Sequence, residues 1–261
     1  FKTIDHIQKE FNQYFPKDGW VEHDAIEIWK DVKKMIKLLL KKNKIYASNI
    51  ASIGITNQRE TTVLWNKKTG KPINKAIVWQ DRRTSDFCKK YKGTKIEKDI
   101  QKITGLIIDP YFSATKIKWI LENIKTAKKI LKKGNLLFGT IDTWLLWNLT
   151  EGKSHLTDIT NASRTMLFDP IKEKWSSKLL KLFNLPLEIF PKVVENTYEF
   201  GYTKLFGAEI LIGGMAGDQQ SSTIGQACFN KGQSKSTYGT GCFFLMNIGK
   251  NFKISSNKLL T

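Results

Sequence analysis

Between residues 24 and 45, apolar positions recur at helical spacing. Ile28, Val32, Met35, Ile36 and Leu39 form one stripe, with lysines on the other faces. Asp24 and Glu27 stand at capping-box spacing, so the pattern predicts a core-facing helix that starts there. "NIASIGIT" reads as a buried strand, "TTVLWNKKTGKPI" as a strand into a Thr-Gly turn, and "AIVWQD" as the next strand. "RRTSDFCKKY" and "IEKDIQKITG" are helical in pattern, the second ending at Gly105. "SATKIKWILENI" predicts a helix capped by Ser113. "LLFGT" is a short strand, and "IDTWLLWNLT" an amphipathic helix whose two tryptophans, Trp144 and Trp147, belong to the core. A strand at "MLFD" and a helix around Ser176 to Phe183 follow. "ILIGGMAG" is a strand running into glycines, and "SKSTYGTGCFFLMNIG" is strand, Gly-Thr-Gly turn, strand. Helices and strands mixed in this order predict an α/β domain.

Charge and composition narrow the function. The formal net charge is +19, nearly all from lysine spread along most of the chain. A nucleic-acid site would concentrate its charge and favour arginine on one face, so a genome-wide bias toward lysine, asparagine and isoleucine explains the lysines better and no nucleic-acid partner is expected. No apolar run approaches the ~20 residues that span a bilayer, so no membrane insertion is expected. Three cysteines, odd in number and far apart, suggest neither a disulfide framework nor a metal site, and point to a reducing, cytoplasmic setting. The start at Phe1 has no signal pattern and no initiator Met, which predicts a piece of a longer chain. The pattern leaves room for a homo-oligomer.

Three stretches carry candidate chemistry. Arg59 and Glu60 come just after the strand "SIGIT", beyond Asn57 and Gln58, and ligands of open α/β sheets bind beyond the carboxyl ends of strands. Arginine offers a rigid fork of donors and glutamate only acceptors, a pair suited to hydroxyls that both give and take hydrogen bonds, as in a polyol. The bland alternative is a surface ion pair at a strand end. In "GGMAGDQQ", Asp218 stands at a helix start, either as a cap or as a carboxylate that removes a proton from a substrate hydroxyl. In "STYGTGCF", Gly239, Thr240 and Gly241 form a turn whose amides can cradle phosphate oxygens, or an ordinary hairpin turn.

Taken together, "GITNQRETT", "AIVWQDRRT", "DPYFSATKIKWIL", "LLFGTIDTWLLW", "TNASRTMLF", "AGDQQ" and "STYGTGCFFLMN" resemble the FGGY carbohydrate kinases, and within them the glycerol-specific branch. The resemblance runs along nearly the whole chain in family order. It implies the actin-like, ribonuclease-H-like fold, with ATP and Mg2+ as cofactors and glycerol as substrate. By the same resemblance, Arg59 and Glu60 hold glycerol hydroxyls, Trp79 walls the carbon backbone, and Tyr111 is a further hydroxyl ligand. Asp218 is implied as the catalytic base, Gln219 as a glycerol ligand, Phe243 as a second glycerol-facing ring, and Gly239, Thr240 and Gly241 as a turn for the ATP phosphates. No metal ligand is assigned.

Departures from the family pattern shape the expectation. The Asp-x-Gly-Thr-Thr hairpin that opens the family is not in these residues, nor is the domain that holds adenosine. Residues 1–261 are therefore expected to be the glycerol-binding N-terminal domain, incomplete at its N-terminus and without the C-terminal nucleotide-binding domain, and inactive at this length alone. Many bacterial relatives carry a Gly-Gly-Thr-Arg loop for a sugar bisphosphate inhibitor; this chain has Gly207, Ala208 and Glu209. Rival readings are a kinase for a longer sugar and a non-catalytic glycerol-binding module.

Overall fold

The protein is described by a computed structural model covering residues 2–239 and 241–261. Two short strands, β1 (Gln13–Tyr14) and β2 (Glu22–His23), precede helix α1 (Ala25–Lys42). Strands β3 (Ser52–Asn57), β4 (Val63–Asn66), β5 (Lys71–Pro72) and β6 (Ala76–Ile77) follow, then helices α2 (Ser85–Lys89), α3 (Lys95–Thr104), α4 (Ser113–Asn123) and α5 (Lys125–Lys132). Next come β7 (Leu136–Gly139), α6 (Ile141–Leu149), β8 (Leu156–Asp158), α7 (Ile159–Ala162), β9 (Phe168–Asp169), β10 (Lys174–Trp175) and α8 (Ser177–Phe183). The described chain closes with β11 (Lys192–Val194), β12 (Thr197–Thr203), β13 (Ile210–Gly217), α9 (Asp218–Gly225) and the hairpin β14 (Ser234–Tyr238) and β15 (Cys242–Met246). The expected α/β architecture is present.

Two hydrophobic cores share one sheet. In the antiparallel sheet β5-β4-β7, alternate residues point to opposite faces. Val63, Trp65 and Leu137 enter the core built with Ile28, Ile55, Trp144, Phe200 and Ile212. Leu64, Leu136 and Phe138 enter the other, with Ile77, Ile100, Phe112, Ile117 and Phe183. A second three-stranded sheet, β12-β13-β3, pairs β12 antiparallel and β3 parallel to the central β13. In that parallel pair Gly217 lies opposite Asn57, so both strands end at the same level. Whatever follows Asn57 therefore meets whatever follows Gly217.

Several local expectations change. β3 is not buried throughout: Ser52, Gly54 and Thr56 are exposed, because one face of this strand is open. Asp24 does cap α1, accepting from the amides of Ile26 and Glu27, but Glu27 does not reciprocate and instead accepts from Asn12. Of the α1 stripe only Ile28 is fully buried. Helix α6 is buried almost all round and not amphipathic, since it passes between the sheets. Ser113 does not cap α4; its hydroxyl donates to the carbonyl of Glu60 at 3.0 Å, and the N-cap position belongs to Phe112.

Candidate active site

The unusual backbone after β3 explains why a strand pattern breaks at Arg59-Glu60. Glu60 has φ 62°, and the Thr61 amide donates to the Arg59 carbonyl at 2.7 Å, closing a three-residue turn of a rare, strained kind. The hydroxyls of Thr62 and Ser113 donate to the Glu60 carbonyl at 3.1 and 3.0 Å and hold the turn. The turn reverses the chain and sends both side chains inward: Arg59 and Glu60 are buried.

Each charge has a partner. Arg164, just beyond α7, donates from Nε to Glu60 Oε1 at 2.7 Å. Its guanidinium also lies 5.4 Å from the Tyr111 ring and 5.0 Å from Phe112. Arg59 Nη1 donates to Gln220 Oε1 at 3.2 Å. Arg59 Nε lies 3.1 Å from Asp218 Oδ1, close enough for an ion pair, yet its N–H is badly aligned for a hydrogen bond and this nitrogen has no other acceptor. Gly217 permits this approach, because a Cβ there would sit 2.5 Å from Arg59 Cδ. Asp218 is the first residue of α9; Oδ1 also accepts from the Gln219 amide at 2.7 Å, and its side chain remains 43% exposed.

A buried polar network ties the two strand ends together. Asn57 donates to Asp142 at 3.2 Å and to Asn161 at 3.0 Å. Asn161 in turn donates to Asp158 at 2.6 Å. Asp158 also accepts from Thr160, whose Oγ1 accepts from the Gly217 amide at 2.8 Å. Burial, reinforced by Asp158, pushes the Asp142 carboxyl up to about 6.

Arg59, Glu60, Trp79, Tyr111, Asp218 and Phe243 line one cavity of ≈ 40 Å³. Three rings wall it: Tyr111 meets Trp79 edge-on at 5.5 Å and Phe243 lies 6.1 Å from Trp79. Burial, with Glu60 nearby, raises the Tyr111 phenol above its usual range, so it stays protonated and can both give and accept. The cavity thus combines a cation, two carboxylates, a phenol and apolar ring faces, an arrangement suited to a small molecule with hydroxyls on a short carbon backbone.

Residues 2–225 match the FGGY family of carbohydrate kinases, N-terminal domain. The chain belongs to this family. It is 54% identical over 263 residues to a glycerol kinase of Treponema denticola, covering 100% of this chain and 53% of that protein. It is 55% identical over 256 residues to a glycerol kinase of Rhizobium meliloti, covering 97% and 52%. Among solved structures it is similar to Plasmodium falciparum glycerol kinase with ADP, with a TM-score of 0.91 at 40% identity, over 97% of this chain and 51% of that one. A xylulose kinase from Lactobacillus acidophilus, at TM-score 0.77 and 22% identity over 90% and 48%, shares the fold alone. The fold is the actin-like α/β domain of the FGGY kinases. The chain spans about half the length of the curated relatives it matches.

Set beside the family pattern, six of the side chains singled out in the sequence meet in one cavity and Gln219 does not. Gln219 is buried, accepts on Oε1 from Lys235 Nζ, and is not among the cavity-lining residues. Gly239 and Gly241 lie in the β14–β15 turn, where the Gly239 amide donates to the Gly241 carbonyl at 3.1 Å. Thr240 falls outside the described residues. No helix among the described residues is long and apolar enough to cross a membrane. Arg164 and Gln220 escaped notice in the sequence, although "NASRT" and "AGDQQ" contain them; only the fold shows that they hold Glu60 and Arg59.

Proposed function

We propose that the protein transfers the γ-phosphoryl group of ATP to a terminal hydroxyl of glycerol, giving glycerol 3-phosphate, in the cytoplasm. The observation that carries this reading is the meeting of Arg59, Glu60, Trp79, Tyr111, Asp218 and Phe243 around one small cavity. The rings of Trp79, Tyr111 and Phe243 crowd it from three sides, which suits a three-carbon triol better than a five-carbon sugar. Residues 1–261 then act as the glycerol-binding domain.

The residues divide the work. Glu60, held by Arg164, accepts from glycerol hydroxyls, and Arg59 and Tyr111 bind the same hydroxyls from the donor side. Trp79 and Phe243 pack the carbon backbone and exclude water. Asp218, half-exposed at the cavity, takes the proton of the attacking hydroxyl. Gly239 and Gly241 would hold the ATP phosphates through their backbone; a Cβ at Gly239 would meet nothing within 4 Å, so phosphate oxygens could approach there. Mg2+ bound with ATP would offset phosphate charge; among the described residues no group of three or more His, Cys, Asp or Glu is placed to hold a metal ion. The remaining catalysis is positioning and electrostatic stabilisation of the transferring group.

The test is ATP-dependent turnover of the complete gene product with glycerol, xylulose and ribulose. Turnover with glycerol far above both sugars is expected; preference for a pentulose would overturn the reading. Arg59→Lys should raise KM for glycerol more than it lowers kcat. Lysine keeps charge but loses the fork that engages several acceptors at once. The loss is about 1–3 kcal/mol, or roughly 5- to 150-fold in KM. An unchanged KM would return Arg59 to a merely structural ion pair with Asp218.

Glu209 is exposed and pairs with Lys204 at 3.0 Å. A carboxylate at that loop repels phosphate, where the Gly-Gly-Thr-Arg loop of many bacterial relatives carries an arginine. Fructose bisphosphate should therefore leave the enzyme's rate unchanged, and strong inhibition in a steady-state assay would refute this.

A further inference from the structure

Lys116 stands in the first turn of α4 and is completely buried. Its ammonium donates to three backbone carbonyls, those of Pro110 at 2.7 Å, Tyr111 at 2.6 Å and Phe112 at 3.2 Å. Three donors meet three acceptors. The placement is otherwise unfavourable. A buried cation loses its hydration, and the first turn of a helix carries the positive end of the helix dipole. Nor does a carboxylate bind it directly. Its charged and titratable neighbours are Glu60 in the turn after β3, Asp81 after β6, Cys88 on α2 and Asp109 before α4. The three carboxylates are each engaged by an arginine: Glu60 by Arg164 at 2.7 Å, Asp81 by Arg83 at 2.8 Å and Asp109 by Arg82 at 3.0 Å. Burial pushes the Cys88 thiol up to about 12, so it stays neutral. A leucine or methionine would fill this space at lower cost, but would leave the three carbonyls without a donor from this side chain.

We propose that Lys116 is a positioning residue of the substrate cavity: its ammonium gathers the carbonyls of residues 110–112 and so fixes where Tyr111 stands on the cavity wall. The inference rests on reading that cavity as the glycerol site. Tyr111 is the one cavity-lining residue in the clamped segment, and its ring is set against both Trp79 and Phe112. Asp218 hangs from a different seam, the end of β13, and none of the three hydrogen bonds touches it. Loosening the clamp therefore weakens glycerol binding and leaves proton removal in place. Burial also lowers the Lys116 ammonium to about 7, so the clamp titrates in the working range. Above that pH a neutral amine has two donors for three carbonyls. The sign for stability is opposite. Unfolded lysine titrates near 10.4, so between about 7 and 10.4 the unfolded chain binds more protons, and this group's contribution to stability rises with pH. Affinity should fall over a range in which Lys116 makes the fold no weaker.

The experiment measures glycerol KM, kcat and thermal midpoint of the complete gene product from pH 6 to 9, for wild type and Lys116→Met. The wild-type KM should rise about 3- to 10-fold from pH 6 to 8.5, the scale of one weakened buried hydrogen bond. Lys116→Met should show a similarly raised KM at pH 6, nearly flat with pH, and kcat within about 2-fold of wild type. A variant KM equal to wild type at pH 6, or kcat falling as much as KM rises, overturns the clamp. If the variant does not fold, the wild-type profile decides: a glycerol KM level across this range refutes the proposal. A wild type that phosphorylates no glycerol removes the substrate reading and this inference with it, whereas an active wild type with an unaffected variant removes the clamp alone.

Discussion

Arg164→Met is expected to destabilise the fold by about 3–5 kcal/mol, the usual cost of stripping one partner from a buried ion pair. The size follows from Glu60. Its side chain is 2% exposed, and its Oε1 accepts from Arg164 Nε at 2.7 Å. Methionine fills much of the space but leaves that carboxylate buried without its cation. Glu60 cannot swing out to water, because its φ of 62° and the hydroxyls of Thr62 and Ser113 fix the turn that carries it. For a chain of this size the thermal midpoint should drop on the order of 10 °C. Adding Glu60→Gln should recover a large part of the loss, since a neutral amide no longer requires the cation. A double-mutant cycle reads this coupling directly. If both single variants melt within about 1 °C of wild type, the pair is not the anchor of the site described here.

How much of this was legible beforehand depends on how local each signal is. The helices of residues 95–104 and 177–183 follow from periodicity and caps, Gly105 at φ 73° among them. Both depend on neighbours within a turn or two. Ser113 is the instructive failure. A serine before a helical pattern is ordinarily a cap, yet here its hydroxyl holds a carbonyl 53 positions away, and no window around residue 113 contains Glu60. Arg164 and Glu60 are 104 positions apart, and Arg59 and Gln220 are 161 apart. Such pairs exist only after β3 and β13 have aligned. Lys116 hid for another reason: in sequence it is one lysine among many, and its isolation from water is a property of the packed core. Gln219 adds a similar case, because the partner its Oε1 accepts from, Lys235, lies 16 positions away on the closing hairpin.

Asp218→Asn is expected to lower kcat for glycerol phosphorylation by about 10²–10⁴-fold, the usual contribution of general-base catalysis, with KM little changed. Among the described residues, the carboxylate's contacts fall on Oδ1: the Gln219 amide at 2.7 Å and Arg59 Nε at 3.1 Å. An asparagine oxygen can take the same amide bond, so the start of α9 and the seat of Arg59 should survive. Gly217 still lets the arginine side chain lie against the strand end. Asparagine can also accept a hydrogen bond from a glycerol hydroxyl, which keeps ground-state binding. What it lacks is an oxygen basic enough to take the proton as the nucleophile forms. A fall in kcat at constant KM marks an interaction made in the transition state and absent from the ground state. Arg59→Lys should give the opposite split, mostly in KM. The two variants together therefore separate the residue that removes the proton from the residue that holds the hydroxyls, although their side chains lie 3.1 Å apart. Were Asp218 no more than an acid in the first turn of a helix, asparagine would serve nearly as well. Steady-state constants within about 2-fold of wild type would then remove it from the chemistry and leave the cavity as a binding site without a base.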